Sequence, residues 1–383
     1  MTHKQTPDPH KLVSYIVAAS VASTIGGLPF NALPVMLGSL ADSFSLDPRL
    51  TGLLGSTCFA GYLLGTLGAP IWMNLLNWRV LTLVGAVFTA ASFGLSSQVH
   101  DLTLLYVMWA LIGFFSATMT CLGVRIISDL PNKVRGYGVR QGVELSVTAA
   151  VLFALPPLVI AQFRYPGAAL ALASVVLVLG VSAFWVPQHP LVAVQTSQDN
   201  QPRFGFARAA WVELMVFFLY LVGNIGLWAF LERIGTGLNM APTETGLVFA
   251  VLKLLGSAAA FCMALIGERL GVRRASWVVL ALIGLGLALL SGAQSFVLFA
   301  LGAWVWEFAF TCGCIVQTAE IARSDSSGRA IVLVPAAFAL SSMAGPGLAG
   351  QLASGGGYGS VLVFAMLSTL VLLLGSLRDK ARL

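Results

Sequence analysis

The chain has 383 residues, of which 58% are hydrophobic and 9% charged, with a formal net charge of +6. Soluble proteins carry about 25% charged residues, and no soluble fold could hide this much apolar surface, so a polytopic membrane protein is expected and the length does not translate into soluble domains. The basic residues are scattered among short loops instead of forming a patch, which points to membrane topology and away from nucleic acid.

After a polar tail ending at Lys11, the first apolar run begins at Leu12. It is too long for a signal peptide and lacks a small-residue cleavage site, so it serves as its own insertion signal. Membrane-length spans are expected at roughly 12–37, 50–73, 79–97, 102–127, 141–163 and 167–187. A polar stretch over 188–209 follows, then spans at roughly 210–233, 243–266, 275–295, 297–321, 330–353 and 358–377, and a basic tail. Each span must be a helix, because lipid leaves no partner for an open backbone. Runs such as ALALASVVLVLGVSAFW do not alternate polar and apolar residues, which excludes a β-barrel. The fold class is therefore all-α, with twelve transmembrane helices.

Loop charge sets the orientation. Arg49, Arg164 and Arg233 fall on one side; every other basic residue except Lys253 falls on the side of the termini and the 188–209 linker. That side is cytoplasmic by the positive-inside rule, so both termini are expected inside, and the expected location is a bacterial inner membrane.

A repeat accompanies the spans. Thr51-Gly52-Leu53 opens the second and Thr245-Gly246-Leu247 the eighth; at the same offset Arg79 pairs with Arg273 and Arg135 with Arg329. The expected domains are a six-helix half at 1–187, the linker at 188–209 and a second six-helix half at 210–383. Parallel repeats of this kind place a solute site between the halves, near the midplane.

Between spans eight and nine the chain reads ALIGERLGVRR, residues 264–274. This stretch, within a six-plus-six architecture, resembles the major facilitator superfamily, whose signature after spans two and eight reads roughly Gly-x-Leu-Ala-Asp-Arg-x-Gly-Arg-Arg. The second copy retains an acid at Glu268, then Arg269, Gly271, Arg273 and Arg274. In the first copy Asn74 stands in the acidic position, Asn77 in that of the glycine, and only Arg79 keeps its charge. The resemblance implies two pseudo-symmetric halves around a central cavity surrounded by spans one, four, seven and ten, with two, five, eight and eleven helping to line it. It also implies a cytoplasmic gate locked by the acidic residue, a role that falls here to Glu268, with Asn74 as the lost counterpart. Trp72 and Trp78 are expected as interfacial anchors in its place. The Gly-Pro pair of the family's drug exporters is missing from span five, which has Pro156-Pro157; Gly345-Pro346 occurs in span eleven instead.

Helical spacing gathers polar residues onto faces: Ser20, Thr24, Gly27 and Asn31 in span one; Tyr137, Gln141, Glu144 and Thr148 in span five; Tyr220, Asn224 and Trp228 in span seven; Trp304, Glu307, Thr311, Cys314 and Thr318 in span ten. Lys253 and Glu307 each lie roughly ten residues into their spans from the same side, about 15 Å deep. A charge left alone near the bilayer centre costs roughly 2.5–3.5 kcal/mol, so these two are expected to form a midplane ion pair. Glu144 is expected near the cytoplasmic surface with Arg140 or Arg125 as a local partner, and Arg125, Glu213 and Glu232 are read as snorkelling from helix ends. The candidate solute-binding residues are Asn31, Tyr62, Trp109, Asn224, Trp228, Lys253, Trp304, Glu307 and Thr311.

No phosphate-binding Gly-x-x-x-x-Gly-Lys-[Ser/Thr] loop exists, and His3, His10, His100 and His189 all fall outside the spans, so neither a zinc site nor a serine–histidine pair can form in the membrane. The five cysteines read as small apolar residues. Neither an enzyme nor a cofactor or metal is expected. The expected function is a secondary transporter of a small organic anion or zwitterion with a ring-bearing portion. Glu307 and then Glu144 are the candidate proton carriers, and the partners are the solute, the proton and the lipid bilayer, with the protein acting as a monomer. A multidrug or metabolite proton antiporter of the same superfamily and a non-transporting membrane sensor are the alternatives.

Overall fold

A backbone in lipid satisfies its N–H and C=O groups within its own segment, and the long apolar runs among the described residues are helical. The computed structural model describes residues 9–129, 133–189, 208–324 and 330–373. The side chains of 264, 266–272 and a few other helical residues lie outside that description. The helices are α1 (Pro9–Asn31), α2 (Leu33–Phe44), α3 (Pro48–Leu75), α4 (Trp78–Ser96), α5 (Leu102–Ser128), α6 (Lys133–Leu155), α7 (Ala161–Gly180), α8 (Arg208–Thr236), α9 (Pro242–Ser291), α10 (Phe296–Ser324) and α11 (Val334–Leu370). A π-helical turn, Pro156–Ile160, joins α6 to α7. No strand occurs among the described residues.

Ten segments among the described residues are long and apolar enough to cross a bilayer. Two of them, Val139–Trp185 with 47 residues and Val334–Leu370 with 37, would run about 70 and 55 Å as straight helices, well beyond a hydrocarbon core of ~30 Å. Each contains one residue with left-handed φ: Arg164 (φ 50°, ψ −149°) and Gly357 (φ 67°, ψ −178°). The helix kinks at each of these residues, and the described residues hold ten such segments against the twelve expected. Glycine takes such a φ without a Cβ clash, whereas the arginine carries strain of about 1–3 kcal/mol.

The helices overrun the spans read from hydropathy. The first span continues past residue 37: α1 stops at Asn31, turns at Ala32 and resumes as α2 to Phe44, with proline near the start of the second piece. The helical backbone of α9 also runs unbroken through 264–274, where a loop is expected from the sequence. That stretch contains no proline, and its Ala, Leu, Glu and Arg residues favour helix.

The chain forms two compact units. One comprises Met1–Asn31, Gly61–Thr148 and Ala169–Asn200; the other comprises Ala32–Ala60, Ala149–Ala168 and Gln201–Leu383. Two segments from the first half of the chain therefore pack with the second half. In the first unit α1 and α4 both lie on α5. Trp78 is buried there, its indole donating to Met73 O at 2.9 Å and its backbone N–H to Gln188 O at 3.0 Å. That corrects its reading as an interfacial anchor, since a loop-locking side chain leaves no ring for the membrane surface. Trp72 is only half-buried and packs against Phe114, ring centroids 5.5 Å apart.

In the second unit α10 packs along α9 and α11 along α8, with α2 also against α8. The start of α3 meets α11 backbone to backbone. A Cβ on Gly52 would strike Pro346 O, and one on Gly350 would strike Pro48 O. Small residues permit such approaches where lipid supplies no hydrophobic drive between helices. Ser56 Oγ then accepts from Gly347 N–H at 2.8 Å, satisfying part of the helix that Pro346 interrupts.

Candidate functional site

Helical periodicity places Phe249, Lys253 and Gly256 along one face of α9 and Glu307, Thr311, Cys314 and Thr318 along one face of α10. The packing of α10 on α9 brings these faces together. Lys253 Nζ lies 3.6 Å from Glu307 Oε1, and the two residues are 4% and 7% exposed, so the ion pair expected from depth alone is present and buried. From α8, Trp228 places its ring centroid 3.7 Å from Lys253 Nζ. Phe249 meets the same indole at 5.7 Å and 64°.

Glycine completes the fit. A Cβ on Gly256 would lie 3.0 Å from Glu307 Oε1 and 3.5 Å from Thr311 Oγ1, so the carboxylate and the hydroxyl rest against bare backbone one helical turn beyond Lys253. Trp304 anchors the other end of the face, donating its indole N–H to Val248 O at 3.0 Å. Beyond Thr311 the stripe continues into an open cavity of about 410 Å³ lined by Cys314, Ile315, Thr318, Ala319 and Ala322. The polar stripe expected on span ten thus runs from the buried ion pair to a cavity wall.

Asn224 lies elsewhere. It is fully buried; its Nδ2 donates to Tyr220 O at 2.9 Å and to Thr369 Oγ1 at 3.1 Å, and its Oδ1 accepts from Trp306 Nε1 at 2.9 Å. One amide hydrogen thus returns to the backbone of α8 and the other reaches α11, while the amide oxygen takes the indole of α10, so Asn224 ties α8 to both neighbours. Tyr220 likewise donates to Phe310 O at 3.0 Å.

In the first unit, Glu144 Oε2 accepts from Arg140 Nη1 at 2.9 Å, and Oε1 faces Asn31 Nδ2 at 3.4 Å. The carboxylate occupies the place a Cβ on Gly27 would take. Arg140 is the local partner expected. Because α6 starts at Lys133, Glu144 sits about three turns into its helix, beside the break between α1 and α2. It is buried, as are Asn31 and Trp109, whereas Tyr62 is half-buried.

The snorkelling readings are corrected too. Arg125 pairs with Asp129 one turn on, and Glu213 is buried. Glu232 accepts from Arg233 Nε at 2.8 Å, while the rest of that guanidinium grips Asp42 of α2 in bidentate fashion at 2.7 and 2.9 Å. The Glu232 carboxylate fills the space beside Gly38.

Of the gate residues, Asn74, Arg273 and Arg274 are exposed. Arg79 is half-buried and donates to Val186 O at 2.8 Å, and Asn77 caps α4 by accepting from Arg79 N–H at 2.9 Å. The first copy of the signature thus closes its loop with hydrogen bonds in place of an acidic side chain. The side chains of Glu268, Arg269 and Gly271 lie outside the described residues.

The sequence reading misses three residues. Phe249, one turn before Lys253, was open to the same spacing test. Gly256, three positions after it, is legible as the small residue facing a carboxylate. Trp306 sits on the far face of α10 from Glu307's neighbours and gives no sequence signal for its bond to Asn224.

By sequence alone no curated protein matches the chain. By structure it is similar to the nucleoside transporter NupG, with a TM-score of 0.74 at 12% identity over 95% of this chain and 98% of that one. It is also similar to a bacterial homologue of the human lysosomal transporter Spinster, solved inward-facing and unoccupied, with a TM-score of 0.72 at 14% identity over 96% of each chain. The human organic anion transporter MFSD10 gives a TM-score of 0.61 at 17% identity, over 96% of this chain and all (100%) of that one. At these identities the likeness is one of fold. The sequence profile of the Major Facilitator Superfamily matches residues 19–215, just over half of the chain, and with the all-helical architecture this makes the protein a member of that superfamily.

Proposed function

We propose that the protein is a secondary transporter that carries a small organic anion by alternating access in exchange for, or together with, protons, and that Lys253 and Glu307 form its solute and coupling site. The observation that carries this reading is the buried pair itself, 3.6 Å from Nζ to Oε1. With the site empty, each charge offsets the other. An incoming anionic group competes with Glu307 for the ammonium, and the displaced carboxylate, buried without its counter-ion, takes up a proton. A charged group in a membrane interior is stable only when paired, so solute and proton become linked through Lys253. Thr311 and Trp304 flank the pair, and the cavity along α10 is the approach. Glu144, held by Arg140 and Asn31, is the second proton site.

In this reading the halves are 1–187 and 210–383, and the linker, 188–209, and both termini are cytoplasmic in an inner membrane. Glu268 is the gate residue of the second half. The protein works as a monomer without a cofactor. Purified protein reconstituted in liposomes holding a pH-sensitive dye tests the proposal against a panel of aromatic and aliphatic carboxylates. Anion-driven proton flux is expected from the native chain, loss of anion transport from Lys253→Met, and uncoupled anion movement from Glu307→Gln. Full coupled flux in both variants would overturn it.

A further inference from the structure

The ion pair is looser than its burial leads one to expect. Charge-assisted N–H···O contacts close to about 2.7–2.9 Å, yet Lys253 Nζ stays 3.6 Å from the carboxylate. It lies 3.7 Å from the Trp228 ring centroid, well inside the ~6 Å range over which an aromatic face attracts a cation. The indole is fixed in place: it is 2% exposed, and Phe249, on the same face of α9 as Lys253, meets it at 64°. On the other side, the Glu307 carboxylate rests against the bare backbone of Gly256, where a Cβ would come within 3.0 Å of it. Among the partners of Lys253 are therefore two of different kinds, one a carboxylate that can be neutralised by a proton and one a ring that cannot.

The geometry points to Trp228 as a positioning residue that draws Lys253 partly off Glu307, so that a solute carboxylate can take the ammonium without first breaking a closed salt bridge, and that keeps Lys253 paired while Glu307 carries a proton. This rests on the solute reading of the pair. It adds a selectivity rule: the site accepts carboxylates, which can compete with a loosened Glu307, and rejects neutral amides of the same shape, which cannot.

A double-mutant cycle on melting temperature separates this from simple packing and requires no transport. Trp228→Leu leaves Lys253 with the carboxylate, and Glu307→Gln leaves it with the ring; the double variant removes both of these partners at once. The double variant is expected to melt about 5 °C or more below the sum of the single losses, and the excess is expected to vanish when Lys253→Met is added to every corner of the cycle. Trp228→Phe, which keeps a ring in the core, is expected to show a smaller excess and serves if Trp228→Leu does not fold. Additive losses, or an excess that survives Lys253→Met, would mean that Trp228 only fills space. In liposomes, Trp228→Phe is expected to raise the half-saturating benzoate concentration several-fold with little change in maximal rate, and benzamide is expected not to compete. If the cycle shows the excess but no carboxylate is carried, the solute reading fails while the positioning of Lys253 stands; if carboxylates are carried but the cycle is additive, the reverse holds.

Discussion

Lys253→Met is the most informative single change. It keeps the length of the side chain and its contact with the Trp228 ring, where a thioether sits well, and it removes only the charge. At the observed 3.6 Å separation and an effective dielectric constant of about 20, the lost attraction is about 4–5 kcal/mol. Breaking a buried pair from one side destabilises by about 3–5 kcal/mol, so the two estimates agree. A loss of that size should lower the melting temperature by roughly 10 °C. Adding Glu307→Gln removes the stranded carboxylate and should restore most of it, since neutral replacement of a buried pair is often close to harmless. Thermal unfolding of purified native, single and double variants reads both effects. A double variant no more stable than Lys253→Met alone would refute the reasoning, because the carboxylate would then owe nothing to the lysine.

Arg233→Gln should destabilise by about 3–5 kcal/mol, since it strands Glu232 in the space beside Gly38, whereas Asp42→Asn should cost no more than about 1 kcal/mol because the Asp42 side chain is 61% exposed; chemical denaturation of the two variants checks the contrast. Asn224→Ala should cost about 1–3 kcal/mol by orphaning the Trp306 indole N–H while leaving the half-saturating solute concentration unchanged; a large rise in that concentration with intact stability would place Asn224 in the solute site. Gly256→Ala should crowd Glu307 from 3.0 Å and impair coupled flux more than it lowers the melting temperature, with Gly292→Ala, where the nearest atom is a carbonyl at 3.5 Å, as the control. Glu268→Gln should slow transport and Asn74→Ala should barely change it, as solute counterflow in liposomes would show.

Much of this protein was legible before any coordinates. In lipid only helices satisfy their own backbone, so hydropathy alone led to the fold class. The cost of a lone charge in hydrocarbon, with a fixed rise of 1.5 Å per residue, brought Lys253 and Glu307 together across 54 positions of sequence, and the structure places them 3.6 Å apart. Depth along a helix is a one-dimensional quantity, and a sequence carries it. Rotation about the helix axis is not, where nearly every face is apolar. Hydropathy could not tell that Asn224 turns inward to Trp306 and Thr369 while Trp228, one turn on, turns to Lys253. Span ends were equally hidden, because the helices run past the apolar stretches: α6 begins at Lys133, before the span read from hydropathy, and Glu144 lies beside the break between α1 and α2. The Arg233–Asp42 contact joins residues 191 positions apart, of which the charge count placed only Arg233. Neighbour choice among apolar helices is decided by side-chain shape and close approach, as where Gly52 and Gly350 let α3 and α11 touch, and only the folded chain displays that.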